Sequence, residues 1–401
     1  MYIVISKPKR RSVKAGAVHC MVCLQWVGMK HVCKPDGTIA TPAATLNSNI
    51  DAMPKPLNDP LWPAPRRLAV GGLHRIAWRD VGAPQGEPWL LLHGGPGGAC
   101  QPGMLRPFDL RRQRVIAPDQ RGAGASRPRG RTQGNHTLAL VADLERLREQ
   151  LGIERWSVLA GSWGTVVALA YAQQHPARVQ RLVLRGAFAL TRREIGGLLL
   201  PSARRGQTLS APTSVWPVRQ GDGLPLALRR LAHLIQNGTP GVASLRVWRG
   251  WALRETDDAL RGLRRSLRHA VHTGSPWSNA IRREWGGWRR QQRRALARLR
   301  QPGVQRSDRA AWGRYRVQAH YLAHRGFVRP GELDRAVASL ARERTPVDWV
   351  HGRFDAICPP ANSARWAAQG RQALHTPPAG HLGGEPAMLA CLRACVRRSL
   401  S

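Results

Sequence analysis

"VLAGSWGTVVALAYAQ", residues 158 to 173, places a single serine, Ser162, between two glycines, directly after a β-type run and directly before a helical one. A strand that turns sharply into a helix holds the residue at the corner in an exposed, strained conformation. The backbones of the two flanking elements then approach so closely that only small residues fit two positions before and two after. Ala160 and Gly164 meet that requirement, with Gly161 adjacent to the serine. Glycine is the usual residue where Ala160 stands, so the departure is one methyl group. The turn also aims the backbone N–H of Trp163, at the start of the helix, toward the side on which a negatively charged oxygen would form. Ser162 therefore reads as a nucleophile.

The segments around this corner alternate in type. "RRLAVGGLHRIAWRDVG" opens with a hairpin from Leu68 to Val81, and "WLLLHGG" and "RVIAPDQRG" read as buried strands. "TLALVADLERLREQL" carries Leu140, Val141, Leu144, Leu147 and Leu151 at helical spacing, with Thr137 as the expected N-cap. "VQRLVLRG" is a further strand. The order resumes near the C-terminus with "VDWVHGRFD", a helix around "NSARWAAQ", "ALHTPPAGH" and a last helix from Pro386. Strands alternating with helices of this length predict a mostly parallel sheet covered on both faces. Residues 53–190 and 341–401 are expected to form this core. Between about Thr191 and Leu340 the strand pattern stops, and arginine- and tryptophan-rich helical stretches predict an inserted α-helical cap over residues 191–340. Residues 1–52, which end in a polar, proline-bearing stretch, read as an extension.

A serine nucleophile needs a base, an orienting acid and oxyanion donors. "LLHGGPGGA" follows an earlier strand, and Gly95 is its expected N–H donor, because a residue without a side chain lets the backbone approach a substrate. The loop has no Lys-Ser/Thr after it and so fails as a phosphate loop. The order Ser, Asp/Glu, His is completed by Asp355, after "VDWVHG", and by His381 in "PAGHLGG". His93, His351 and His375 lie in the glycine loop or within strands and read as structural. His381 would take the Ser162 proton while Asp355 fixes its tautomer, giving an acyl-enzyme that water releases.

"HGGPGGA", "DQRGAGASRP", "GSWGTVVALAYAQQHP", "LVLRGAF", "HGRFDAICPP" and "AGH", in this order, resemble the proline iminopeptidases, or prolyl aminopeptidases, of the α/β-hydrolase fold. The likeness covers about residues 66–190 and 310–401. It implies the triad Ser162, Asp355 and His381, the oxyanion donors Gly95 and Trp163, a helical cap, and "DQRG" as a structural turn beside the glycine loop. It implies a small peptide as substrate and no cofactor. Enzymes similar to this hold the free α-amine of the substrate with cap glutamates. On the alignment through "RVQAHYL" one such position is Gln318. Through the pair Trp285 and Trp288 another is Arg289. Glu284 and Glu194 are the acids nearest to compensate. A neutral and a cationic residue in place of acids would suit an ester or amide carrying a carboxylate or other anion.

The chain of 401 residues has 63 Lys and Arg against 24 Asp and Glu, a formal charge of +39. Such a balance favours polyanions, and a polyanion-binding role on a hydrolase scaffold is the remote alternative. However, every lysine lies within the first 55 residues, and the arginines beyond are scattered through amphipathic segments rather than gathered in a tract. No recognition signature for nucleic acid accompanies them, and no nucleic-acid partner is expected. The seven cysteines lack the spacing of a secreted disulfide framework, which fits a reducing, cytoplasmic location. Cys20, Cys23, His31 and Cys33 match no common zinc-finger spacing, and no metal is expected. No apolar run approaches the ~20 residues that span a bilayer.

Overall fold

Alternate residues of one short strand point into opposite cores. In β3 (Glu87–Leu92), Leu90 and Leu92 join the cluster beneath α1 (Thr137–Gln150) and α2 (Trp163–Gln174), whereas Trp89 and Leu91 join the cluster beneath α10 (Pro386–Arg397). A strand apolar on both faces must be covered on both, and each leucine so buried contributes about 1.5–3 kcal/mol. The computed structural model describes residues 62–200, 217–219, 221–236 and 241–398, so the expected extension with Cys20, Cys23, His31 and Cys33 lies outside the described residues.

The eight-stranded sheet has the order β1-β2-β4-β3-β5-β6-β7-β8. The hairpin β1 (Arg66–Ala69) and β2 (Arg75–Gly82) pairs Leu68 with Ile76, and β2 runs antiparallel to β4 (Gln113–Asp119). All remaining pairs, through β5 (Trp156–Gly161), β6 (Val179–Arg185), β7 (Val347–Val350) and β8 (Ala373–His375), are parallel. The fold is an α/β hydrolase sheet of the expected mostly parallel kind. Helix α2 is buried without a break from Trp163 to Ala172, as a helix placed between sheet and outer helices must be.

Between β6 and β7 run α3 (Arg192–Leu199), α4 (Leu224–Gln236), α5 (Val242–His272), α6 (Ser278–Arg300), α7 (Arg306–Ala323) and α8 (Glu332–Arg342). Helix α5 packs against both α6 and α7, while α8 returns to pack against α2 and against α9 (Pro360–Gly370). One local expectation is corrected. The N-cap of α1 is His136, whose ring accepts from the Ala139 N–H at 3.2 Å, and the Thr137 hydroxyl is spent on the Gly326 carbonyl. Sequence alone could not reveal the distant carbonyl that competes for the hydroxyl.

Several arginines are consumed inside the molecule. Arg249 is 2% exposed and grips Asp308 through Nε–Oδ1 (2.8 Å) and a second guanidinium contact (2.5 Å), with carbonyls of Arg298 and Gln301 taking another nitrogen. Arg121 holds Asp143 by two bonds of 2.6 Å. Arg181 reaches Glu87 and the carbonyl of Val396. Buried charges require such partners, so part of the basic composition serves to join elements.

Candidate active site

Ser162 has φ 55 and ψ −125, a left-handed conformation that side-chain-bearing residues adopt only when the surroundings force it. Its N–H donates to the Arg185 carbonyl at 2.8 Å, tying the corner to β6, and its carbonyl receives both the N–H (2.9 Å) and the hydroxyl (2.7 Å) of Thr165. The small-residue requirement is literal here. A Cβ on Gly164 would lie 2.8 Å from the Leu92 carbonyl oxygen and 2.9 Å from that of His93.

The glycine loop is pressed against this corner. A Cβ on Gly94 would lie 2.9 Å from the Gly161 oxygen and 3.0 Å from the Ser162 Cβ, and Gly95, at φ +57, lines the same cavity as Ser162 and Trp163. His93 is a scaffold for the loop. Its Nε2 accepts from the Gln120 N–H (3.1 Å) and its Nδ1 faces the Gly94 carbonyl (3.1 Å), while burial holds its pKa below the usual histidine value. The "DQRG" turn completes the brace. Gln120 donates to the His93 carbonyl and accepts from Trp163 Nε1 at 3.0 Å, and Asp119 accepts from the N–H groups of Cys100 and Ala125.

Asp355 and His381 meet beneath the corner, with His381 Nδ1 and Asp355 Oδ2 2.7 Å apart. A carboxylate only accepts, so Nδ1 carries the proton and Nε2 keeps the lone pair of the neutral ring. Asp355 Oδ1 accepts from the N–H groups of Ile357 (2.8 Å) and Cys358 (2.9 Å). Burial alone would raise the Asp355 pKa, but His381 and then His351, whose Nε2 stands 3.3 Å from Oδ2, outweigh it and hold the carboxyl well below the usual range. Gly186, at φ +56, leaves room for this pair, since a Cβ there would lie 3.2 Å from the His381 ring. Burial, then the Asp355 charge, push the Cys358 thiol well up, so it stays protonated in the same cavity as Ser162.

Two groups absent from the sequence reading, a buried acid and a partly buried arginine, hold the His381 loop. Glu385, 1% exposed, accepts from the N–H groups of Gly380 (2.8 Å) and Leu382 (3.2 Å) and from Ser266 of α5 (3.0 Å). Arg185 donates to the His381 carbonyl from beneath Gly161. The acid in "GGEP", just before a helix, is the sequence signal that points to Glu385.

Above Ser162 and His381 lies a cavity of about 330 Å³, walled by Phe188, Leu198 and Leu322 among others. Of the expected substrate contacts, Gln318 lines it. Arg289 does not. It is exposed on α6, its guanidinium over Trp285 and bonded to Gln292. Glu284 accepts weakly from Trp288, and Glu194 is locked into the capping box of α3 and bonded to Asn362, so neither lines the cavity. The acids that do line it are Glu255 and Asp258 of α5. Glu255 accepts from Gln318 Nε2 (2.9 Å), Arg314 (3.0 Å) and the Tyr315 hydroxyl (3.0 Å). A second tryptophan pair, Trp248 and Trp251, precedes Glu255 by about one helical turn and was the available signal.

Residues 87–386 match the model of the alpha/beta hydrolase fold family. Fold and site together define a serine hydrolase. A proline iminopeptidase of Xylella fastidiosa is 32% identical over 336 residues, which cover 80% of this chain and 91% of that one. One of Neisseria meningitidis serogroup A is 31% identical over 331 residues, 81% and 92% of the two chains. The crystal structure of a proline iminopeptidase-related protein from Thermus thermophilus is 21% identical, covers 83% of this chain and 96% of its own, and gives a TM-score of 0.48. By its curated relatives, the chain belongs to the proline iminopeptidase family.

Proposed function

We propose that this serine hydrolase is an aminopeptidase that releases an N-terminal proline from short peptides through Ser162, His381 and Asp355. Ser162 Oγ attacks the carbonyl carbon while His381 Nε2 takes its proton, and Asp355 holds the ring through Nδ1. The backbone N–H groups of Gly95 and Trp163 receive the developing oxyanion. The leaving amine takes the proton from His381, an ester to Ser162 remains, and water activated by the same nitrogen releases the amino acid.

One observation carries the substrate assignment. Gln318 Nε2 donates to Glu255, which fixes the amide orientation. Gln318 Oε1, buried at the cavity, accepts no hydrogen bond among the described residues. A buried carbonyl oxygen beside a carboxylate asks for a ligand that donates, and the secondary ammonium of an N-terminal proline brings two N–H groups and a positive charge. Glu255 thus supplies the charge that Gln318 lacks. Apolar walls from Phe188 and Leu322 suit the ring.

A second reading rests on Arg314, whose guanidinium shares the cavity and favours an ester or amide bearing an anion. Steady-state rates on a proline arylamide, its N-acetyl form and an aryl ester with an acidic acyl chain separate the two. Turnover of the free amine well above its N-acetyl form supports the aminopeptidase; equal turnover, or preference for the acidic ester, overturns it. A fluorophosphonate should label the wild type and spare Ser162→Ala.

A further inference from the structure

On the far side of the sheet's last strands, three side chains with metal-binding donors converge. Cys391 and Cys395 are four residues apart on α10 and so share one face, and His375 ends the edge strand β8. One donor atom from each lies within 4.8 Å of the others. None of the three lines the cavity above Ser162.

We propose that His375, Cys391 and Cys395 bind a thiophilic divalent cation of the zinc class, tying α10 to the β7–β8 edge. Two thiolates and an imidazole select such a cation over magnesium or calcium, which require oxygen donors. Zinc–sulfur bonds of ~2.3 Å and zinc–nitrogen bonds of ~2.0 Å place tetrahedral donors about 3.5–3.8 Å apart, so donors within 4.8 Å of one another close by at most about 1.0–1.3 Å. The support behind the ring is present. His375 Nε2 faces Asp348 Oδ1 at 2.9 Å, and because the carboxylate only accepts, Nδ1 keeps the lone pair. Asp348 is 1% exposed within β7, and its other oxygen accepts from Arg398 at 2.7 Å. Cys395 is buried in the core beneath α10, whereas the His375 side chain is 35% exposed, which gives the ion a route from solvent. Binding exchanges the two thiol protons for the cation and releases them to water, with no change of oxidation state. The fourth position is filled by water. This departs from the absence of metal expected from the sequence, because strand and helix contribute their donors from residues that are not close in any recognised spacing.

Cobalt(II) titration of the reduced full-length chain tests the site. Cys20→Ser, Cys23→Ser and Cys33→Ser are introduced together first, so that the N-terminal thiols do not contribute. The expected result is one equivalent of cobalt with a thiolate-to-cobalt charge-transfer band and the visible bands of tetrahedral geometry, displaced by zinc. Adding Cys391→Ser and Cys395→Ser should abolish both bands, and Asp348→Asn should weaken binding by about 10- to 100-fold. In the otherwise unaltered chain, the same cysteine pair should remove one equivalent, which guards against poor folding of the triple variant. Circular dichroism confirms that each variant is folded. Absence of the bands in the folded triple variant overturns the proposal, as does their survival without Cys391 and Cys395. A chain that loses two hydrogens on mild oxidation and, once reduction has restored them, takes up no cobalt also overturns it, since the thiols then serve as a redox pair.

Discussion

Replacing Glu255 by glutamine removes one charge from the cavity while keeping the side-chain shape. Its present partners survive the change with little structural loss. The Tyr315 hydroxyl and Arg314 donate to one carboxylate oxygen and Gln318 Nε2 to the other, so the new amide keeps its oxygen toward Tyr315 and Arg314 while the Gln318 amide turns over to accept from the new NH2 group, and Arg314, with a side chain 41% exposed, loses a counter-ion where solvent already screens it. The cost therefore falls on a bound ammonium. A hydrogen bond to a charged partner contributes about 1.5–3 kcal/mol, which at 1.4 kcal/mol per decade is a loss of about 10- to 150-fold in kcat/KM for a proline arylamide. Arg314, freed of its counter-ion, repels the same ammonium and moves the effect toward the upper end. A short aryl ester without an amine touches neither group and should keep its rate within about twofold, since only interactions with the missing group are lost. The assay is a pair of steady-state titrations on wild type and variant. An equal fall on both substrates would assign Glu255 a structural role, and an unchanged amide rate would refute the amine-binding argument outright.

Other substitutions probe the rest of the site. Ser162→Ala should lower kcat by about 10⁶-fold, the scale of losing a triad serine, with KM little changed. Gly164→Ala forces a methyl against the carbonyl oxygens of Leu92 and His93, which are backbone atoms and cannot rotate away; a loss of about 1–3 kcal/mol is expected, read as a lower urea midpoint. Arg289→Ala should leave kcat/KM unchanged for every substrate, because the residue is exposed and stands outside the cavity. His93→Asn orphans the Gln120 N–H, a cost of about 1–3 kcal/mol at pH 7.5. Burial holds the His93 pKa below its unfolded value of about 6.5, so the unfolded chain takes up a proton that the folded one refuses. Its contribution is thus complete above that value and lost as pH falls beneath it. The stability gap between wild type and variant should narrow between pH 7.5 and 5.5, and a gap that stays constant would contradict the buried, neutral ring.

Much of the fold was legible because its determinants are local. "AGSWG" encodes a corner by the sizes of five consecutive residues, and runs such as "WLLLHGG" declare strands covered on both faces by being apolar without alternation. The order of Ser162, Asp355 and His381 along the chain followed from the same alternation, since each stands in a loop after a strand. The N-cap at His136 was not legible, because the carbonyl that diverts Thr137 belongs to Gly326, far along the chain. The helices between β6 and β7 were less legible still. Helices α5, α6 and α7 all mix arginine with tryptophan, and composition does not say which face of each turns inward.

Sequence by itself therefore determined the sheet and the elbow, because short-range sterics and strand periodicity leave few alternatives. Only the tertiary structure decided that Glu255 rather than Glu284 or Glu194 shares the cavity with Gln318, and that Arg289 does not. Those outcomes depend on the rotation of long helices about their own axes, which is set by packing between segments dozens of residues apart rather than by any pattern within one of them.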